Sequence, residues 1–112
     1  MAGSDLYTGS LDLIILKSLT FGPMHGYAIG RWIRQTTSEE LAVQEGALYP
    51  ALHRLERKGF LAEEWGMTDT NREAKFYRLT TDGITHLKTE LARWHRYARV
   101  MTTALSAAPT QG

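Results

Sequence analysis

The sequence contains no cysteine. That excludes disulfide frameworks and thiolate chemistry, and it fits a reducing cytoplasm, the expected location. Long hydrophobic runs are missing too. The apolar segment at residues 11–19 is interrupted by Asp12, Lys17 and Ser18, far short of the roughly 20 apolar residues of a membrane-spanning helix. No basic stretch followed by an apolar one marks a secretory signal at the N-terminus. Charge of one sign is also lacking: 13 Lys and Arg face 12 Asp and Glu, for a formal net charge of +1. The total argues only weakly against a polyanion binder, and the distribution says more. Acids pair at Glu39–Glu40 and Glu63–Glu64, whereas Arg54, Arg57, Lys58, Arg72, Lys75 and Arg78 occupy the region between and after them. A near-neutral total can conceal a basic face.

What is present is one domain's worth of chain: 112 residues, 43% of them hydrophobic. Residues 1–7 read as a frayed start on which Leu6 and Tyr7 pack. Thr8 or Ser10 is placed to cap a first helix running to about Leu19. Its residues Leu11, Leu13, Ile14, Ile15, Leu16 and Leu19 leave almost no polar side, so more than one surface should bury it, one of them belonging to a second subunit. "FGPM" is a turn. A second helix spans about His25 to Thr36, with Tyr27, Ile29, Trp32 and Ile33 as its inward positions. "TTSEEL" breaks it.

The third helix, about Glu45 to Lys58, carries the clearest stripe: Leu48, Ala51, Leu52 and Leu55 fall at i, i+3, i+4 and i+7. Gly59 is its stop signal. Pro50 is tolerated only near a helix start, which puts the first turn no earlier than about Gly46. Then the period changes. "FLAEEW" and "KFYRLT" alternate and read as two antiparallel strands joined by the turn-rich "GMTDTNRE". "TTDG" opens the last helix. From there Ile84, Leu87, Leu91, Trp94, Ala98, Met101 and Leu105 recur at three- and four-residue steps, a heptad seam. "SAAPTQG" is a polar tail.

The expected fold is therefore mostly α with a small β-hairpin: a winged helix-turn-helix over residues 8–80, a long C-terminal dimerisation helix over 81–107, and a disordered tail over 108–112. Such a third helix fits a major groove, with Tyr49, Pro50, His53, Arg54 and Arg57 outward and its free first-turn amides toward phosphate. Arg72 and Lys75 of the wing would meet phosphate. Trp94, Tyr97 and Met101 are bulky, and little chain remains to cover them. The heptad residues, with Leu11 and Ile15 of the first helix, are thus expected to form a homodimer interface. Two recognition helices about 34 Å apart would then read a pseudo-palindrome. Tyr7, Leu11, Ile15, Trp94, Tyr97 and Met101 either fill that interface or line an apolar effector pocket in it.

Enzymatic chemistry has no assembled residues here. Glu63 and Glu64 should split across the faces of a strand. His86 and His95 lie on different turns, and His25 and His53 in separate elements, so neither metal nor cofactor is expected. A second reading keeps the fold and replaces DNA by a protein partner.

The blocks "GPMHGYAI", "EGALYPALHRLERKGF", "NREAKFYRLTTDG" and the Trp of "ELARW" together resemble PadR-like transcriptional regulators, specifically the short members with one C-terminal helix. The resemblance covers about residues 10–105. It implies a winged-helix homodimer that represses genes by occupying an operator, released in many members by phenolic acids or hydrophobic drugs. Carried over by motif, it implies DNA contact by Ala47, Tyr49, Pro50, His53 and Arg54, and wing contact by Arg72 and Lys75. It puts Trp94 at the place of a tryptophan that lines an intersubunit pocket in drug-responsive relatives. The wing departs from many relatives in carrying Asp69 and Glu73 at its tip.

Overall fold

The computed structural model describes residues 9–110. The elements are α1 (Ser10–Ser18), a single 3-10 turn (Leu19–Phe21), β1 (Met24–His25), α2 (Gly26–Thr36), α3 (Glu45–Arg57), β2 (Leu61–Met67), β3 (Glu73–Leu79) and α4 (Thr81–Leu105). Every element expected from periodicity is present. The additions are the 3-10 turn and β1, which makes the sheet three-stranded, in the order β1-β3-β2. β1 spans only two residues, Met24 opposite Tyr77 and His25 opposite Phe76. A strand that short has no alternation to read. Its existence depends on β3 coming to it, Phe76 and Tyr77 pairing with His25 and Met24 from far along the chain.

The core joins Ile15, Leu16 and Leu19 to Ile29 and Ile33 of α2, to Leu48, Ala51, Leu52 and Leu55 of α3, and to Leu61, Tyr77 and Leu87. α1 is the central piece, touching α2, α3 and α4. This explains its all-round apolarity from within one chain. It also corrects the assignment of Ile15 to a subunit interface or pocket: Ile15 is fully buried in its own core, and Leu87 is only 7% exposed for the same reason. Leu11 is half-buried against that core. Tyr7 and the proposed cap Thr8 lie outside the described residues. The helix N-cap is Gly9, and Ser10 is already helical.

α3 ends as its sequence demands. Gly59 has φ 83°, its N–H donates to the Glu56 carbonyl, and the Phe60 N–H donates to the Leu55 carbonyl. This is the paired closure that a left-handed glycine permits. The start differs from expectation. Gln44 is the N-cap, so Pro50 is the sixth helical residue, beyond the first turn. Proline donates no hydrogen bond, so the Gly46 carbonyl lacks its helical partner. Both residues are exposed, and water can satisfy that carbonyl.

α4 packs through its first turns only. Gly83 and Leu87 are buried, while His86, Glu90, Trp94 and Ala98 are half-buried. Its remaining apolar residues are uncovered: Ile84 is 44% exposed, Leu91 37%, Met101 37% and Leu105 78%. Residues 107–110 carry no regular structure. No helix among the described residues is long and apolar enough to cross a membrane.

Candidate nucleic-acid interface

α2, α3 and the hairpin of β2 and β3 enclose an open cleft of about 720 Å³, lined by His25, Gly26, Tyr27, Arg31, Tyr49, His53, Tyr77 and the wing residues 68–70 and 72–75. The helical stripe produces one wall. With Leu48, Ala51, Leu52 and Leu55 turned inward, the intervening Tyr49, Pro50, His53 and Arg57 are exposed, and Ala47 is half-buried at the edge. Tyr49 is seated against α2: a Cβ on Gly26 would come within 2.5 Å of its hydroxyl. Only glycine at that position lets the tyrosine ring lie there.

α2 supplies the second wall, a contribution that sequence reading missed. Tyr27, expected inward, is 62% exposed. Gly26, Ile29 and Ile33 are the buried positions instead. Arg31, one turn on, stacks over the Tyr27 ring at 5.5 Å. The His25 ring stacks 6.3 Å from that of Tyr27, while its Nδ1 caps α2 by accepting from the Ala28 N–H. The signal was available. Tyr27 and Arg31 are four apart and off the Ile29–Ile33 face, and that azimuth outweighs the aromatic character of Tyr27.

The wing tip, residues 68–72, is shorter than the loop inferred from sequence because both strands run on to Met67 and Glu73. It closes with Asn71 at φ 62° and with the Thr68 N–H donating to the Arg72 carbonyl. Arg72 is exposed at its end.

Two expected contact residues are already engaged. The Arg54 guanidinium lies 2.5 Å from an Asp12 carboxylate oxygen, tying α3 to α1. Lys75 sits within β3, not in the loop, with its ammonium 2.9 Å from Glu63. Arg78 pairs with Glu64 at 3.2 Å. Half of the basic series in the sequence is thus neutralised within the chain. Among the described residues, Arg31, Arg57, Lys58 and Arg72 make no ion pair. Of these four, Arg31 and Arg72 line the cleft, together with the acids Asp69 and Glu73.

Glu63 and Glu64 do lie on opposite faces of β2, but Glu63 has a different acidic neighbour, Glu56 of α3. The hydrogen bond between their carboxyls holds Glu56 above its ordinary range, with burial adding to it. The same bond, then Lys75, holds Glu63 below. Each carboxyl therefore shifts the other, in opposite directions. The Glu56 contribution is present below its unfolded pKa and lost as pH rises through its raised folded value. The Glu63 contribution runs oppositely, present above its unfolded pKa and lost as pH falls through its lowered folded value. Glu56→Gln keeps a donor toward Glu63 at every pH. It is expected to raise the thermal midpoint near neutral pH, with a smaller gain in mild acid, as the native carboxyl takes up its own proton. Melting curves at the two pH values check this.

A three-helix body with a recognition helix beside a β-hairpin, opening on a cleft of aromatic and cationic side chains, defines a winged helix-turn-helix of the DNA-binding class. A family model for the transcriptional regulator PadR-like family matches residues 15–89. A Lysinibacillus sphaericus protein bearing the name uncharacterized protein X is 31% identical over 94 residues, 84% of this chain and 86% of that one. Among solved structures, a transcriptional regulator from Clostridium thermocellum aligns with a TM-score of 0.81 and 34% identity, covering 89% of this chain and 97% of the other. A PadR family transcriptional regulator from Eggerthella lenta gives 0.79 and 29%, covering 93% and 88%. The chain belongs to the PadR-like family of transcriptional regulators. It is a DNA-binding regulator and not an enzyme.

Proposed function

We propose that this regulator is a cytoplasmic homodimeric repressor that occupies a pseudo-palindromic operator and is released by a small aromatic or hydrophobic effector. The observation that carries the reading is the uncovered seam of α4, where Ile84, Leu91, Met101 and Leu105 stay exposed in a single chain. A second copy supplies the cover, by the self-complementary contact of a two-fold pair. Each subunit then offers Tyr49, Pro50, His53 and Arg57 to one major groove, with Ala47 beside them. Tyr27, Arg31 and Arg72 serve as flanking contacts to the DNA backbone. Arg54 and Lys75 are reassigned as positioning residues that hold α1 and β2 through Asp12 and Glu63.

The effector reading rests on half-buried Trp94 and exposed Tyr97, whose rings lie 5.9 Å apart on α4. With Met101 and their counterparts in the second subunit they would form aromatic walls. A ligand there acts by preferring one spacing of the two heads over another.

Mobility shift on DNA upstream of the gene, with a salt titration, tests the DNA assignment. Arg72→Ala is expected to weaken specific and random duplexes alike and to reduce the slope of log affinity against log salt by about one. A retarded band that never appears, even at low salt, would favour a protein partner instead.

A further inference from the structure

Of the cations that α3 carries, Arg54 is the one placed between two elements. It follows His53 and flanks the outward row, outside the cleft, on the side that borders α1. Its side chain is 42% exposed, yet its guanidinium is tied to Asp12, whose side chain is only 19% exposed. Among the described residues the Arg54 side chain makes no other hydrogen bond, ion pair or ring contact. Lys75, the other engaged cation, is held more fully. Besides meeting Glu63 it lies over the Tyr77 ring at 5.7 Å.

Stability does not account for the Asp12–Arg54 pair. α1 and α3 already share the buried core through Ile15, Leu16, Leu52 and Leu55. An ion pair with a half-exposed partner adds little to that. Asp12 does not need the arginine either. It lies in the first turn of α1, where the positive end of the helix dipole stabilises a carboxylate. What the pair does change is charge. It cancels one cation on the flank of the recognition helix, in a chain whose formal net charge is +1. Carboxylate and phosphate offer a guanidinium the same geometry, two oxygens for a planar fork. An Arg54 without Asp12 is therefore equipped for a phosphate bordering the groove that α3 enters.

We propose that Asp12 withholds Arg54 from the DNA backbone and so sets the affinity of the regulator without touching DNA. The proposal rests on the DNA-binding reading above and adds to it a positioning residue on α1, which acts through Arg54. Its consequence is selectivity. A phosphate contact tightens every duplex alike, and in a genome the non-specific sites far outnumber an operator. Keeping Arg54 occupied leaves more of the binding to the outward row of α3.

The test is a double-mutant cycle of Asp12→Asn and Arg54→Ala, read as affinity for a random-sequence duplex across a salt titration. Asparagine keeps the shape of Asp12 and drops its charge. Asp12→Asn should bind about tenfold more tightly, with a slope of log affinity against log salt steeper by about one, because a phosphate contact is gained. Arg54→Ala should cost little in the presence of Asp12 and should remove the gain in the Asp12→Asn background. Asp12→Glu, which restores the charge, should bring the affinity back toward wild type. Melting curves establish that each variant is folded.

An equal cost of Arg54→Ala in both backgrounds would overturn the proposal, because the gain would then be one of net charge alone. A larger cost beside Asp12 than beside asparagine would overturn it too, since the pair would then be holding α3 in its binding pose. So would a folded Asp12→Asn with wild-type affinity and slope. If neither wild type nor any variant shifted a duplex at low salt, the DNA-binding reading of α3 would fall and the proposal with it, a result distinct from the other three.

Discussion

Leu91→Asp is expected to convert the protein to monomers in sedimentation and to weaken operator binding by about a hundredfold or more. Leu91 is the first heptad residue beyond Leu87, the last side chain of α4 that the chain's own core buries. In a two-fold pair the two copies of residue 91 face the same seam. The change removes two leucines, each contributing roughly 1.5–3 kcal/mol when buried, and brings two carboxylates together in their place. The loss in DNA affinity follows from valency. Two linked heads bind about 10²–10⁴ times more tightly than one, without any new contact. Each head should remain folded, because Leu91 is 37% exposed and outside the core. A protein that sediments as a dimer after this change would locate the interface elsewhere.

Gly83→Ala is expected to cost about 3 kcal/mol, the upper range for a forced core overlap, and to lower the urea midpoint accordingly. The sign is opposite to the usual one, since alanine is favoured over glycine within a helix by about 1 kcal/mol. Here the added Cβ would stand 2.1 Å from the Phe60 carbonyl oxygen, which is backbone and cannot swing away. The joint around it is tight. The Thr80 hydroxyl donates to the Gly59 carbonyl at 2.7 Å and accepts from the Gly83 N–H at 3.0 Å, while the Thr80 N–H donates to the Phe60 carbonyl. His86 stacks on the Phe60 ring at 4.0 Å. This joint fixes the angle of α4 to the winged body, and in the proposed dimer that angle sets the separation of the two heads. Gly83→Ala should therefore also lower operator affinity in the protein that remains folded. An unchanged urea midpoint would show that α4 shifts freely at its root.

The elements were legible wherever a local repeat or a stop signal made them. The Leu48–Leu55 stripe, Gly59, the alternation of β2 and β3, and the hydroxyl of Thr80 all act within a few residues of themselves. Tyr27 and Pro50 show the limits of such rules. An aromatic in an amphipathic helix is inward only if its azimuth agrees, and Tyr27 lies off the Gly26–Ile29–Ile33 face. Pro50 is tolerated inside α3 because the side it weakens faces solvent. For the candidate site, the outward row of α3 could be read from its stripe. The α2 wall, the glycine seat under Tyr49 and the Glu56–Glu63 pair could not, because each joins residues from separate elements.

The sequence by itself determined the order of the four helices and the two hairpin strands, the face that α3 buries, the heptad of α4 and the family. These follow from periodicity, capping and motif spacing, which act along the chain. Only the tertiary structure decided which charges are available. Arg54 meets Asp12 across 42 positions, and Lys75 meets Glu63 across a strand pair. It alone also decided that Ile15 and Leu87 belong to the chain's own core. An ion pair or a burial depends on what folding brings within a few ångströms, and no local pattern encodes that distance.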